Sequence, residues 1–264
     1  MTLRLGFAIT PDLPPERLRP LAREIERAGF DDLWVWEDCF AESGIAAAAL
    51  ALGATERVTV GIGLMPAPLR TVALTAMEIA TLDRAIPGRL IAGVGHGVQS
   101  WMAQAGVRVG SPVTLLREYT VALRRLLAGE RVSFEGRYVH LDEVQLAWPP
   151  AAAVPLMLGG RGPVSLRLAG ELGDGTLLAG GLSVEEVQDA VSHSREGGAP
   201  EGRPVIATVS GAVGDPPAIA ARLREFEAVG ATTVVVTAGL DHSDVEGLIR
   251  FLGREVLPLL AAQA

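Results

Sequence analysis

Eight short runs rich in Val, Ile and Leu recur along the chain, at 3–9, 32–36, 58–64, 89–94, 154–158, 175–179, 204–210 and 232–237. Helical patterns fill the intervals at 15–28, 43–54, 71–84, 114–128, 163–172, 183–195 and 216–229, and a last one at 244–260 closes the series. The apolar runs show no strict alternation, as expected of parallel strands buried on both faces. Eight strand–helix units in succession predict an α/β fold, a (β/α)8 TIM barrel. A chain of 264 residues suits one such domain over 1–264. In barrels of this kind the chemistry is built on the loops that follow the strands.

Local signals support the helices. Pro14 and Pro15 open the first, Ser183 precedes Glu185 and Glu186, and Asp215 precedes two prolines. Gly29, Gly129 and Gly230 stand where helices should stop. One segment breaks the alternation: 131–148 reads as a strand pair turning near Glu135-Gly136, inserted between helix four and strand five. It is either a hairpin covering a barrel edge or a flap over the mouth.

Composition narrows the function. A net charge of -8 argues against a nucleic-acid platform. All 23 basic residues are Arg, so a Schiff-base lysine is excluded. Cys39 is the single cysteine, which leaves no internal disulfide and no cysteine-based zinc site. His96, His140, His193 and His242 do not fall at ligand spacing, so no metal is expected; His242 follows strand eight on the catalytic face. No apolar stretch reaches the ~20 residues of a spanning helix. The start of the chain carries no basic, cleavable leader pattern, and the expected location is cytoplasmic.

The fourth strand ends in A-G-V-G-H-G at 92–97, glycines that let something approach the backbone closely. Gly159, Gly160 and Arg161 follow strand five, and Gly180 and Gly181 follow strand six. Glycine pairs before a helix N-terminus suit a phosphate, with Arg161 adding a charge-assisted contact; they also suit plain tight turns. Trp36 and Trp101 could line an aromatic slot for a substrate, although Trp34 shares strand parity with Trp36 and points to a core role for one or both. Cys39 has no partner base in view and reads as a packing residue.

Five segments in order resemble the bacterial luciferase-like monooxygenase superfamily, in its coenzyme F420-dependent oxidoreductase branch. They are A-G-F-D-D-L-W-V-W-E-D at 28–38, V-G-I-G-L-M-P-A-P-L-R-T at 60–71, I-P-G-R-L-I-A-G-V-G-H-G at 86–97, P-L-M-L-G-G-R-G-P at 155–163 and A-G-E-L-G-D-G-T-L at 169–177. The resemblance implies a flavin or deazaflavin across the barrel mouth, with its phosphate on the 159–161 and 180–181 loops. It also implies a bulge in strand three with a non-prolyl cis bond at Gly63-Leu64 behind the ring. A homodimer through the early helices, where 46–54 is Ala-rich, is implied as well.

The chain departs from that family at two places. Asp38 is followed by Cys39 where Asp-His is common, and Gly97 by Val98 where a Glu is common. His96 could take over as proton donor, contact the cofactor or substrate, or only hydrogen-bond a carbonyl. Asp38 matches the acidic position near the ring, with a helix cap or salt bridge as its plain alternative, and one of Glu37 and Asp38 should face the mouth. The expected activity is hydride transfer between F420 and a small organic substrate. An FMN-dependent two-component monooxygenase is the first alternative and a cofactor-binding protein without turnover the second. A phosphate-sugar barrel enzyme is disfavoured by the missing Lys and the missing paired Glu/His base.

Overall fold

In the computed structural model, which describes residues 3–178, 180–239 and 244–262, the eight apolar runs close into a parallel barrel. The barrel strands are β1 (Arg4–Ile9), β2 (Asp32–Val35), β3 (Thr59–Pro66), β4 (Leu90–Gly95), β7 (Leu156–Gly159), β8 (Gly175–Leu177), β9 (Val205–Ser210) and β10 (Thr233–Thr237). β10 pairs with β1 and completes the ring. The insertion is an antiparallel pair, β5 (Val132–Glu135) and β6 (His140–Val144).

The surrounding helices are α1 (Leu18–Ala28), α2 (Gly44–Leu52), α3 (Val72–Ala85), α4 (Gln99–Gln104), α5 (Pro112–Leu127), α6 (Pro163–Leu172), α7 (Val184–Glu196), α8 (Pro216–Ala228), α9 (Val245–Phe251) and α10 (Leu257–Ala261). Ser183 and Glu186 form a full capping box on α7, and Asp215 caps α8 through the N–H of Ala218. The expected final helix is divided by a π turn at Leu252–Val256. Pro258 lacks the N–H that a regular helix needs there, and Gly253 meets the end of α1, where a β-carbon would lie 2.6 Å from the Ala28 carbonyl. The short α4 is absent from the sequence reading, because six residues carry no amphipathic repeat.

Side-chain alternation puts two cores on the two faces of the strands. Leu33 and Val35 point outward into the layer between barrel and helices, while Trp34 fills the barrel with Ala8, Met157, Leu177, Ile206 and Val235. Room for that indole comes from β3: a β-carbon on Gly61 would lie 2.5 Å from the ring. Trp34 is thus a core residue, and Trp36, two positions on, packs above it at the mouth. At the opposite end Arg89 donates to the carbonyls of Thr55 and Val58 at 2.9 and 3.0 Å, and Arg4 pairs with the buried Asp32 at 2.6 Å.

The inserted hairpin lies along α5. One carboxylate, Glu118, accepts the backbone N–H groups of Arg137, Tyr138 and Val139 at 2.9, 2.8 and 3.2 Å, and the Tyr138 hydroxyl accepts the N–H of Ser111. None of its residues lines the cavity at the barrel mouth. Tyr138, Val139, His140 and Leu141 instead line a separate cavity with Pro68, Arg70 and Thr71 of the turn after β3, a placement that favours the edge cover over the flap.

Candidate active site

A cavity of about 490 Å3 opens at the carboxyl ends of the strands. β3 shapes its floor. The bond Gly63–Leu64 is cis, and β3 shifts register against β4 between Ile62 and Met65. The bulge brings Leu64 across the mouth, where neighbouring glycines make room for it. A β-carbon on Gly95 would sit 2.7 Å from Leu64 Cδ2, and one on Gly159 would collide with the same atom. A β-carbon on Gly93 would strike the Ile62 carbonyl. The glycines of β4 therefore admit the neighbouring strand, not a ligand.

The β4 end supplies His96. Gly97 takes φ +70°, a conformation that favours glycine, and its carbonyl accepts from His96 Nδ1 at 2.9 Å. A carbonyl can only accept, so Nδ1 carries the proton and the neutral ring keeps its lone pair on Nε2. Gln99, at the start of α4, donates to the carbonyls of His96 and Gly97 at 3.1 and 3.2 Å and fixes the same turn. α4 also carries Trp101 into the wall of the cavity. Sequence reasoning missed Gln99, whose only signal is its place three residues after His96.

At the β2 end both acids line the cavity, with different surroundings. Glu37 is buried. Its Oε1 and Oε2 accept from Arg70 Nη1 and Nη2 at 2.6 and 3.0 Å, and Oε2 also accepts the N–H of Gly44 at 2.8 Å. Glu78 approaches Arg70 Nε at 3.4 Å. The Asp38 carboxylate has no hydrogen-bond partner among the described residues, and burial raises its pKa above the ordinary 3.8. Cys39 is half-buried and outside the cavity lining, and burial, followed by the Glu37 and Asp38 charges, pushes its thiol up. That is the opposite of an activated nucleophile.

Across the mouth, Gly159, Gly160, Arg161, Gly162 and Gly180 line the cavity together. A β-carbon on Gly160 would sit 2.5 Å from Ser165 Cβ, so that turn fits glycine only. Gly162 is the N-cap of α6 and gives it no side-chain cap, which leaves the N–H groups after Pro163 for a ligand. Arg161 is exposed, and its Nη1 lies 3.6 Å from where a Gly180 β-carbon would be. Gly181 is not in the lining, and His242 lies outside the described residues. Leu177, Leu178, Pro66, Val98 and Thr208 complete the walls; of these, sequence reasoning had marked only Val98, as a departure from the family and not as a lining residue.

The sequence model of the luciferase-like monooxygenase family matches residues 4–212. The chain belongs to that family. Among its relatives, 5,10-methylenetetrahydromethanopterin reductase of Methanolobus tindarius is 30% identical over 176 residues, which is 67% of this chain and 54% of that protein. F420-dependent glucose-6-phosphate dehydrogenase of Nakamurella multipartita is 32% identical over 195 residues, 68% of this chain and 57% of its own. The chain thus spans little more than half the length of these curated relatives. The likeness in fold extends over the whole barrel. The solved structure of coenzyme F420-dependent tetrahydromethanopterin reductase from Methanopyrus kandleri superposes with a TM-score of 0.85, at 21% identity, over 98% of this chain and 100% of that one.

Among the described residues no cluster of His, Cys, Asp and Glu could hold a metal, and no helix is long and apolar enough to cross a membrane.

Proposed function

We propose that the chain is a cytoplasmic F420-dependent oxidoreductase acting on a small organic substrate. One observation carries the reading: a bare glycine turn, an arginine with no ion pair among the described residues and a bulged β3 with Leu64 border the same cavity at the strand ends. Relatives at about the same distance, the reductase and the dehydrogenase above, carry F420 chemistry or a related reduction in their names.

Bound at this mouth, the deazaflavin would supply a two-electron hydride carrier at C5. Gly159, Gly160, Arg161 and Gly180 would hold its phosphate, with the uncapped start of α6 adding roughly half a positive charge. Gly63 and Leu64 would back the ring. His96 has the proton inventory for the other half of the reaction: neutral Nε2 takes a proton from a substrate hydroxyl, and the imidazolium returns one in the reductive direction. Asp38, partly desolvated and without a hydrogen-bond partner among the described residues, would bias the charge at the same place. Trp36 and Trp101 would flank the substrate and keep water from it.

We also propose a homodimer through the early helices. Leu50 on α2 and Leu74 and Met77 on α3 are large apolar side chains left exposed. Sedimentation at micromolar concentration tests it, and a monomer there removes it.

Parallel titrations with F420 and FMN, each oxidised and reduced, test the main reading. Micromolar binding of the deazaflavin without oxygen uptake supports it. Preference for FMN with oxygen uptake moves the chain to monooxygenase chemistry. Binding without product across a substrate panel leaves a carrier.

A further inference from the structure

The cavity holds charge unevenly, and that unevenness selects what can share it with a cofactor. We infer that the substrate is an uncharged, largely apolar molecule, and that carboxylates and sugar phosphates are rejected; the inference rests on the deazaflavin reading, which assigns Arg161 to the cofactor phosphate.

Arg161 is the one arginine that lines the cavity among the described residues, and it stands with the glycine turns after β7 and β8. The β2 and β3 side is acidic. There Glu37 and Asp38 line the wall, Glu78 lies behind them, and a single guanidinium, Arg70, pairs with Glu37 and Glu78 alone. Arg70 is engaged twice by Glu37 and once by Glu78, which leaves Asp38 without a paired cation among the described residues. An anion placed on this side would meet a like charge in a partly dry pocket, where screening is weak. A phosphate bound at Arg161 would make the field more negative still. Most other side chains in the described wall are apolar, among them Trp36, Leu64, Pro66, Val98, Trp101 and Leu177, with His96, Gln99 and Thr208 as the polar exceptions. Such a surface gains from burying an aromatic or alicyclic body and offers hydrogen bonds for one polar group, at His96 or Asp38. The chain would therefore differ in substrate class from the glucose-6-phosphate dehydrogenases it matches.

The test uses the protein loaded with oxidised F420 at pH 8. Binding of three neutral probes (benzyl alcohol, cyclohexanol and 1-octanol) is compared with their carboxylates (benzoate, cyclohexanecarboxylate and octanoate), with benzylamine and with glucose 6-phosphate, by saturation-transfer NMR. The expected result is a preference of about tenfold or more for each alcohol over its carboxylate, since like-charge contact is strongly unfavourable. Asp38→Asn should narrow that preference by tightening the carboxylates, and Trp101→Ala should weaken the alcohols alone. Equal or tighter binding of the carboxylates or of glucose 6-phosphate overturns the inference. So does tighter binding of benzylamine than benzyl alcohol, or failure of all three alcohols to bind. If F420 itself does not bind, the deazaflavin reading falls first; if F420 binds and the carboxylates win, only the substrate class is wrong.

Discussion

Arg70 clasps Glu37 with both terminal nitrogens, at 2.6 and 3.0 Å, across 33 residues of chain. The pair ties the β2 end to the turn after β3, and the N–H of Gly44 completes the carboxylate's set. Removing one partner from a buried pair leaves the other uncompensated. Arg70→Met should lower stability by about 3 kcal/mol in urea unfolding, and the double change with Glu37→Gln should recover most of it. Additive losses would show that the two residues act separately.

His96 is held in one tautomer by the Gly97 carbonyl. His96→Gln should reduce turnover by about two to four orders of magnitude while F420 affinity changes little, the signature of a lost proton-transfer group. Steady-state rates beside a binding titration decide it. Equal losses in both would make His96 a cofactor contact only.

Arg161 contributes to cofactor binding through its charge. Arg161→Ala should weaken F420 by about tenfold to a hundredfold, the range for a hydrogen bond to a charged group, with salt sensitivity reduced in step. Gly160→Val should weaken it as well, by pushing the turn off Ser165. Unchanged affinity in both variants would leave these loops as simple turns.

Asp38 gives a pH signature. Its folded pKa is raised by burial, so the folded state binds the proton more tightly than the unfolded state does. Stability from this site is therefore present below the ordinary carboxylate range and lost as pH rises through the raised value. Asp38→Asn should melt higher than the parent at pH 7 and match it near pH 3. Solvent screening at a half-exposed site keeps the gain small.

Glu118 gives the opposite signature. Burial alone would raise its pKa, but the backbone N–H groups of Arg137, Tyr138 and Val139 bring it below the usual 4.5. Its hold on the hairpin is complete above that value and is lost as pH falls through the lowered one. Glu118→Ala should expose 131–148 to proteolysis while turnover stays close to the parent, because no hairpin residue lines the mouth. A large loss of turnover would restore the flap reading.

Much of the barrel was legible because strand burial on both faces leaves a local mark, and each run lies within two residues of its strand. The bulge at Gly63–Leu64 was legible through resemblance, not through any local rule. What escaped is nonlocal. Nothing in the sequence joins Glu37 to Arg70, and the choice between Glu37 and Asp38 dissolves once both line the cavity with only one of them paired. The glycines before His96 signalled a close approach correctly, but the sequence could not say that Leu64 and the Ile62 carbonyl are what approach. α4 was lost to its brevity, and with it the reason for Trp101's place.

Trp34 closes the barrel between its two ends. Above the indole lie His96, Asp38 and Arg161, and below it lie the ties made by Arg89 and Arg4. Selection for heat tolerance and selection for new reactions can thus draw on separate sets of positions. A library confined to the lower rim should harden the scaffold without retuning the catalyst, and one confined to the upper loops can explore chemistry on a frame that stays put.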